Sequence, residues 1–309
     1  MGNDFNHQPV LLTSTVEALQ PRPDGRYLDG TLGGGGHAEA ILQASDPSGQ
    51  LVGLDRDPQA LEAATARLSK YGDRFTPIHT DFGSMLDTAG ERGPFDGILL
   101  DLGVSSPQLD HADRGFSFRH DGPVDMRMDP SQDLTASALL DSLDETGLVD
   151  ILRRYGEEPR ARRIAKAILD GRPWTRTLEL AHCVAESSGY KNSRTHPATR
   201  TFQALRMAVN DELGQLERAL DSALALLAPH GRLVIISFHS LEDRMVKRYF
   251  RQAAGENSPK DPFGHPIHPP AFVLPHRRGI SGKKADPDNP RSRSARLRTI
   301  EKIPQKNPQ

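Results

Sequence analysis

The chain has 309 residues, 36% hydrophobic and 26% charged, which is enough for about two domains and excludes a wholly disordered protein. Its formal net charge of −2 singles out no class of partner, and its one cysteine, Cys183, excludes an intramolecular disulfide and a cysteine-based zinc site and fits a reducing compartment. The start, MGNDFNHQPVLL, has no basic segment followed by an apolar one, and no apolar run approaches the roughly 18 residues that cross a bilayer, so a cytoplasmic location is expected.

Over the first hundred residues short apolar runs alternate with helical patterns, the signature of βαβ units and a mostly parallel sheet. Gly25 to Asp29 predicts a first strand, Gly30 to Gly36 a glycine-rich turn, and His37 to Leu42 the helix after it. Gln50 to Asp55 predicts a second strand. Asp57-Pro58 then opens a helix with a capping carboxylate and a proline in its first turn, and Leu61, Thr65 and Leu68 form its inner stripe. Phe75 to His79 and Phe95 to Asp101 predict the third and fourth strands.

Residues 102–130, rich in Gly, Asp, Arg and Phe, show no period and are too long for an idle connection, so they are a candidate functional loop. Residues 134–210 are helical in pattern and predict a small inserted all-α domain. An amphipathic helix follows through Leu213, Leu216, Leu220, Leu224 and Leu227, stopped by Pro229-His230-Gly231. Leu233 to Phe238 predicts a buried fifth strand, Leu241 to Phe250 a helix, and Ala271 to Leu274 and Ala295 to Ile300 the sixth and seventh strands. The expected architecture is α/β: a Rossmann-like, seven-stranded, mostly parallel sheet built from residues 1–110 and 211–309, with a loop and an all-α substrate-recognition domain at 111–210.

Charge is unevenly spread. Residues 1–110 hold 7 Lys/Arg against 16 Asp/Glu, residues 151–206 hold 12 against 5, and residues 276–302 hold 9 against 3. Two basic regions on an otherwise acidic chain are suited to a polyanion such as nucleic acid, or form an ordinary solvated face. Arg153, Arg154, Arg160, Arg162, Arg163 and Lys166, with Arg277, Arg278, Lys283, Lys284, Arg291 and Arg293, are the phosphate-contacting candidates. Arg119, Arg127, Phe116 and Phe118 either grip and stack on single-stranded RNA or stabilise their own loop.

Four glycines, Gly33 to Gly36, between a strand and a helix let backbone approach a ligand and aim helix N-terminal amides at it. The same residues with His37 and Ala38 satisfy a loose G-x-G-x-x-A pattern, so a nicotinamide-dependent oxidoreductase is the rival reading. Asp55 at the end of the second strand serves either cofactor by accepting hydrogen bonds from a ribose diol. Asp29, just before the glycines, separates the two: it repels a pyrophosphate and suits the ammonium and sulfonium of S-adenosylmethionine. Asp81-Phe82 supplies a neighbour for an adenine ring or holds an ordinary core phenylalanine, and Asp101 sits where the transferred group should meet its acceptor or caps a helix or turn. His239 and Ser240 either reach substrate or form a hydrogen-bonded core pair, whereas His265 and His268 lack companion ligands, so no metal is expected.

Asp101 to Asp110 (DLGVSSPQLD), Arg114 to Phe118 (RGFSF), Asp125 to Asp129 (DMRMD), His196 to Gln203 (HPATRTFQ) and Ile236 to Arg244 (ISFHSLEDR) resemble the signature blocks of the bacterial RsmH family, also called MraW, nearly from end to end. The resemblance implies a class I S-adenosylmethionine-dependent methyltransferase acting on N4 of a cytidine, position 1402, in 16S rRNA of the small ribosomal subunit. It places cofactor contacts on Gly35, Gly36, His37, Asp55, Phe82, Asp101 and Gln108, and only Gly34, where a larger residue is usual, departs from the pattern. Many amino-methyltransferases acting on nucleobases carry an Asp/Asn-Pro-Pro-aromatic tetrad after the fourth strand. This chain has Asp101-Leu102-Gly103-Val104 instead. Asp101 is therefore the first candidate to orient and polarise the amine, with Ser105 and Ser106 as weaker ones. A non-catalytic ribosome-binding factor is the alternative from a different class.

Overall fold

The computed structural model describes residues 9–190, 195–256, 258–259, 261–263, 267 and 270–304. It divides into two compact units, residues 1–103 with 214–309 and residues 104–213.

The first unit is built on β1 (Arg26–Asp29), β2 (Gln50–Asp55), β3 (Phe75–His79), β4 (Phe95–Asp101), β5 (Leu227–Ser237), β6 (Phe272–Val273), β7 (Ile280–Ser281) and β8 (Arg296–Lys302). The order is β3-β2-β1-β4-β5-β8-β6, with β7 also pairing β8. β1 to β5 run parallel, and β8 returns antiparallel to β5. The sheet thus has eight strands rather than seven. Both β6 and β7 are two-residue pieces pairing different ends of β8, too short for a period of two to show in the sequence. β5 also begins earlier than expected: Leu227 already pairs Phe95, and the ladder shifts register before Gly97 meets Arg232, so Pro229-His230-Gly231 forms an irregularity rather than a boundary.

Strand residues alternate between two buried faces, as a covered parallel sheet requires. Tyr27, Leu51, Leu99, Val234 and Ile236 join a cluster with α1 (Leu12–Leu19), α2 (Gly36–Ala44) and α3 (Pro58–Leu68), while Leu28, Leu233 and Ile235 are equally buried outside it. α3 starts as its sequence dictates, with the Asp57 carboxylate accepting the Gln59 amide at 3.1 Å. The outer strand β3 leads to α4 (Met85–Ala89).

The second unit begins with the short α5 (Ser106–Asp110) and packs α6 (Ala136–Ser142), α7 (Glu145–Arg154), α8 (Ala161–Asp170), α9 (Thr177–Ser188) and α10 (Thr199–Val209) around one core. Thr135 and Asp144 cap α6 and α7. The aperiodic loop belongs to this core: Phe116, Val124, Met126 and Met128 are buried in it. Asn210 closes the loop onto α10, its Oδ1 accepting the Met128 amide at 2.9 Å while its Nδ2 donates to Met126 O at 2.7 Å. α11 (Glu212–Leu226) leads back into the sheet, α12 (Ser240–Ala253) follows β5, and the short α13 (Gly282–Ala285) precedes β8.

Candidate cofactor and active site

The strand order reverses between β1 and β4, and in open α/β sheets the crevice at the carboxyl ends beside such a switch point is where ligands bind. Register sets Asp29 between Gly53 and Leu99, so the carboxylates that close β1, β2 and β4 rise at one rim. From β1 the chain enters the glycine turn. Leu32 N donates to Leu54 O at 2.9 Å, Gly33 adopts φ 51° and Gly35 φ 77°, and α2 begins with no side chain capping its first amides. Gly36 is required by a close approach: a Cβ there would lie 2.4 Å from Pro9 Cγ. The Gly34 carbonyl accepts from Arg67 Nη1 at 3.2 Å.

Asp29 is fully buried. Its Oδ1 accepts the Thr31 amide at 3.1 Å, and its Oδ2 has no hydrogen-bond partner among the described residues. Burial, only partly offset by nearby His37, pushes its pKa from the ordinary 3.8 up to about 7. Asp55 accepts the Gly33 amide at 2.7 Å and the Asp57 amide at 2.9 Å; burial still outweighs these bonds and lifts its pKa to about 6. Each carboxylate oxygen offers a second lone pair, so Asp55 keeps acceptor capacity for a diol.

Asp101 at the end of β4 is held through its backbone, whose N–H donates to Thr31 Oγ1 at 2.6 Å. One carboxylate oxygen lies 3.5 Å from His37 Nε2, and the other has no partner among the described residues. Thr31 thus bridges the ends of β1 and β4. No sequence signal marks it, because the amide that it receives lies 70 positions away. Phe82 is half-buried beside β1: a Cβ at Gly30 would stand 3.3 Å from Phe82 Cβ and 2.5 Å from Leu100 Cδ2. Asp81 is engaged as a cap, its carboxylate accepting the Ser84 amide at 3.0 Å.

In the second unit Ser105 and Gln108 form a capping box on α5. Gln108 Oε1 accepts the Ser105 amide at 3.0 Å and Ser105 Oγ accepts the Gln108 amide at 3.4 Å. The alternatives left open for the loop resolve toward its own support. Arg127 grips Asp125 with two bonds of 2.8 Å and two carbonyls besides, Phe116 is buried, and Phe118 packs on Phe202 at 4.8 Å and His196 at 4.6 Å. Arg119 alone of that group is exposed. His239 Nε2 lies 3.1 Å from a carboxylate oxygen of Glu242, an ion-pair distance, without forming a hydrogen bond among the described residues. His265 and His268 lie outside the described residues.

Among the candidate phosphate contacts, Arg153, Arg154, Arg162, Arg163 and Lys166 are exposed and form no ion pair among the described residues. Arg160 is committed elsewhere, donating to Ser188 O and lying 4.1 Å over the Tyr190 ring. Arg277 pairs with Glu256.

A mostly parallel sheet with a glycine turn at its switch point and a rim of strand-end carboxylates, unsuited to a pyrophosphate and suited to a cation, defines a Rossmann-like methyltransferase. The chain belongs to the MraW methylase family, whose model matches residues 4–303. It is 51% identical over 97% of its length to the ribosomal RNA small subunit methyltransferase H of Geobacter sulfurreducens, covering 99% of that protein. It is 48% identical to the protein of the same name from Heliobacterium mobile, with 97% of this chain and 100% of that one covered. A solved rRNA methylase from Streptococcus thermophilus is similar over 96% of this chain and 99% of its own, at a TM-score of 0.43 and 12% identity.

Proposed function

We propose that the chain transfers a methyl group from S-adenosylmethionine to N4 of a cytidine in 16S rRNA of the small ribosomal subunit. The observation that carries this is the strand-end rim: Asp29 Oδ2 and Asp101 Oδ1 are buried acceptor atoms without hydrogen-bond partners among the described residues, beside a glycine turn in a chain of the methylase family. Unpartnered buried acceptors are costly, and a cation with N–H donors meets that need. When bound, S-adenosylmethionine supplies a methyl group activated by its positive sulfur.

The chain's own residues do the rest. Gly35, Gly36 and the His37 backbone form the turn that holds the cofactor, Asp55 takes its ribose, and Phe82 neighbours its base. Asp29 and Asp101 supply the negative field that a sulfonium and an ammonium require. The lone pair of a cytosine amine is delocalised into its ring, so the nitrogen needs an acceptor that polarises an N–H and fixes its approach. Asp101 Oδ1 fills that role. Ser105, whose hydroxyl oxygen already accepts the Gln108 amide, is the weaker candidate. The exposed cations of α7 and α8 attract the phosphates, and the target base must be unstacked to reach the methyl donor.

Calorimetric titration with S-adenosylmethionine and with NAD tests the cofactor: the first should bind and the second should not. Asp55→Ala should weaken S-adenosylmethionine binding by about 1–3 kcal/mol, and an unchanged affinity would remove the ribose role. Small subunits from cells lacking the enzyme, incubated with radiolabelled methyl donor, should carry the label on one cytidine of 16S rRNA. No label would make the protein a binding factor.

A further inference from the structure

His37 is grouped with Gly35 and Gly36 as a cofactor contact, yet its side chain turns away from solvent. It is 6% exposed, and both ring nitrogens lack a hydrogen-bond partner among the described residues. Its Nε2 lies 3.5 Å from Asp101 Oδ2. Asp101 in turn is held at its backbone by the bond to Thr31 Oγ1, and among the described residues no hydrogen bond fixes the buried oxygen Oδ1 of its carboxylate. A carboxylate that presents one oxygen to an amine in a fixed direction needs a second tether on the other oxygen. His37 is the side chain placed to provide it. Packing alone explains the arrangement poorly, since an imidazole with two idle nitrogens is a costly core residue.

Resting on the function proposed above, we infer that His37 is a positioning residue for Asp101: its Nε2 faces Oδ2 at 3.5 Å, and closing that gap to a hydrogen bond, with the ring N–H donating, turns Oδ1 toward the acceptor amine. The His37 backbone serves the cofactor turn and its ring serves the acceptor. In the transfer the amine lone pair forms the N–C bond while the C–S bond breaks and leaves its pair on sulfur. One amine proton passes to Asp101 Oδ1 and then to solvent, and His37 keeps its proton throughout. The charged groups around the ring are Asp101 from β4, Asp29 from β1 and, beyond it, Asp55 from β2, with Arg67 of α3 beside Gly36.

The test compares His37→Phe, which keeps a ring and loses the donor, with His37→Gln, which returns an N–H near the place of Nε2. His37→Phe should hold S-adenosylmethionine affinity within about threefold, lower kcat by about 10–100-fold with the RNA KM unchanged, and alter the acid limb of the kcat pH profile. His37→Gln should restore most of kcat. In the protein without ligands, the ring-nitrogen NMR signals of His37 should report a proton on Nε2 and shift in Asp101→Asn. A tenfold loss of cofactor affinity with kcat intact, or His37 signals indifferent to Asp101→Asn, would overturn the inference. Wild-type protein that labels no RNA would instead sink the proposed reaction, and the NMR comparison would still decide the pairing, as it does if His37→Phe fails to fold.

Discussion

At the scale of single residues, the rim is built at the expense of stability. A carboxyl whose folded-state pKa lies above its unfolded value favours folding while protonated. Its contribution is complete below about pH 4 and is lost as pH rises through about 6 for Asp55 and about 7 for Asp29. Asp29→Asn keeps the shape and removes the charge. It should raise the unfolding midpoint by several degrees at pH 8 and leave it nearly unchanged at pH 4, measured by scanning calorimetry without cofactor. An equal gap at both pH values would place the effect in packing. Ligand affinity runs the other way: the ionised carboxylates attract the cation, so binding of S-adenosylmethionine to the wild type should tighten from pH 5 to pH 8. Asp29, Asp55 and Asp101 were legible because each ends an apolar run that could only be a strand. Thr31 was not, because its role depends on an amide supplied by a different strand.

At the scale of elements, the glycine turn is shaped from outside as well as from within. The chain just before α1 lies against it, and Pro9 occupies the space that a side chain at position 36 would need. Gly36→Ala should lower stability by about 1–3 kcal/mol, as overpacking does, and weaken cofactor binding at least tenfold. Adding Pro9→Gly should recover most of both, because the ring that clashes is gone. A double variant no better than the single one, in thermal melts and titrations, would mean that the turn itself rejects the methyl group. The loop at residues 102–130 shows how an element's role can hide. Its Phe116 and Phe118 stand in a stretch with no period, which leaves open whether an aromatic ring joins a core or stays exposed. The pairing of Asp125 with Arg127 and the bonds of Asn210 fold the loop inward. The edge pieces β6 and β7 were blurred for a related reason: two residues fall below the length at which alternation exists.

For the whole molecule, opposite charges are sorted between segments, and the sorting has a measurable consequence. Replacing Arg162 and Arg163 together by alanine should weaken binding to 16S rRNA and reduce the slope of log affinity against log salt by about 1.4, about 0.7 per lost phosphate contact on single-stranded RNA. Cofactor affinity, read by titration, should not move; if both fell together, the helical unit would have been unfolded by the change. Arg160 falls outside this group because its guanidinium is spent on Ser188 and Tyr190. By itself the sequence determined the parallel sheet, the glycine turn, the strand-end carboxylates and the helical nature of the insert, since these follow from periodicity and local stereochemistry over a few residues. Only the tertiary structure decided that Asp29 is fully buried, that His37 faces Asp101, that Thr31 joins two strands, and which cations stay free. Burial and pairing depend on groups far apart in the chain, and no local pattern encodes the distance between them.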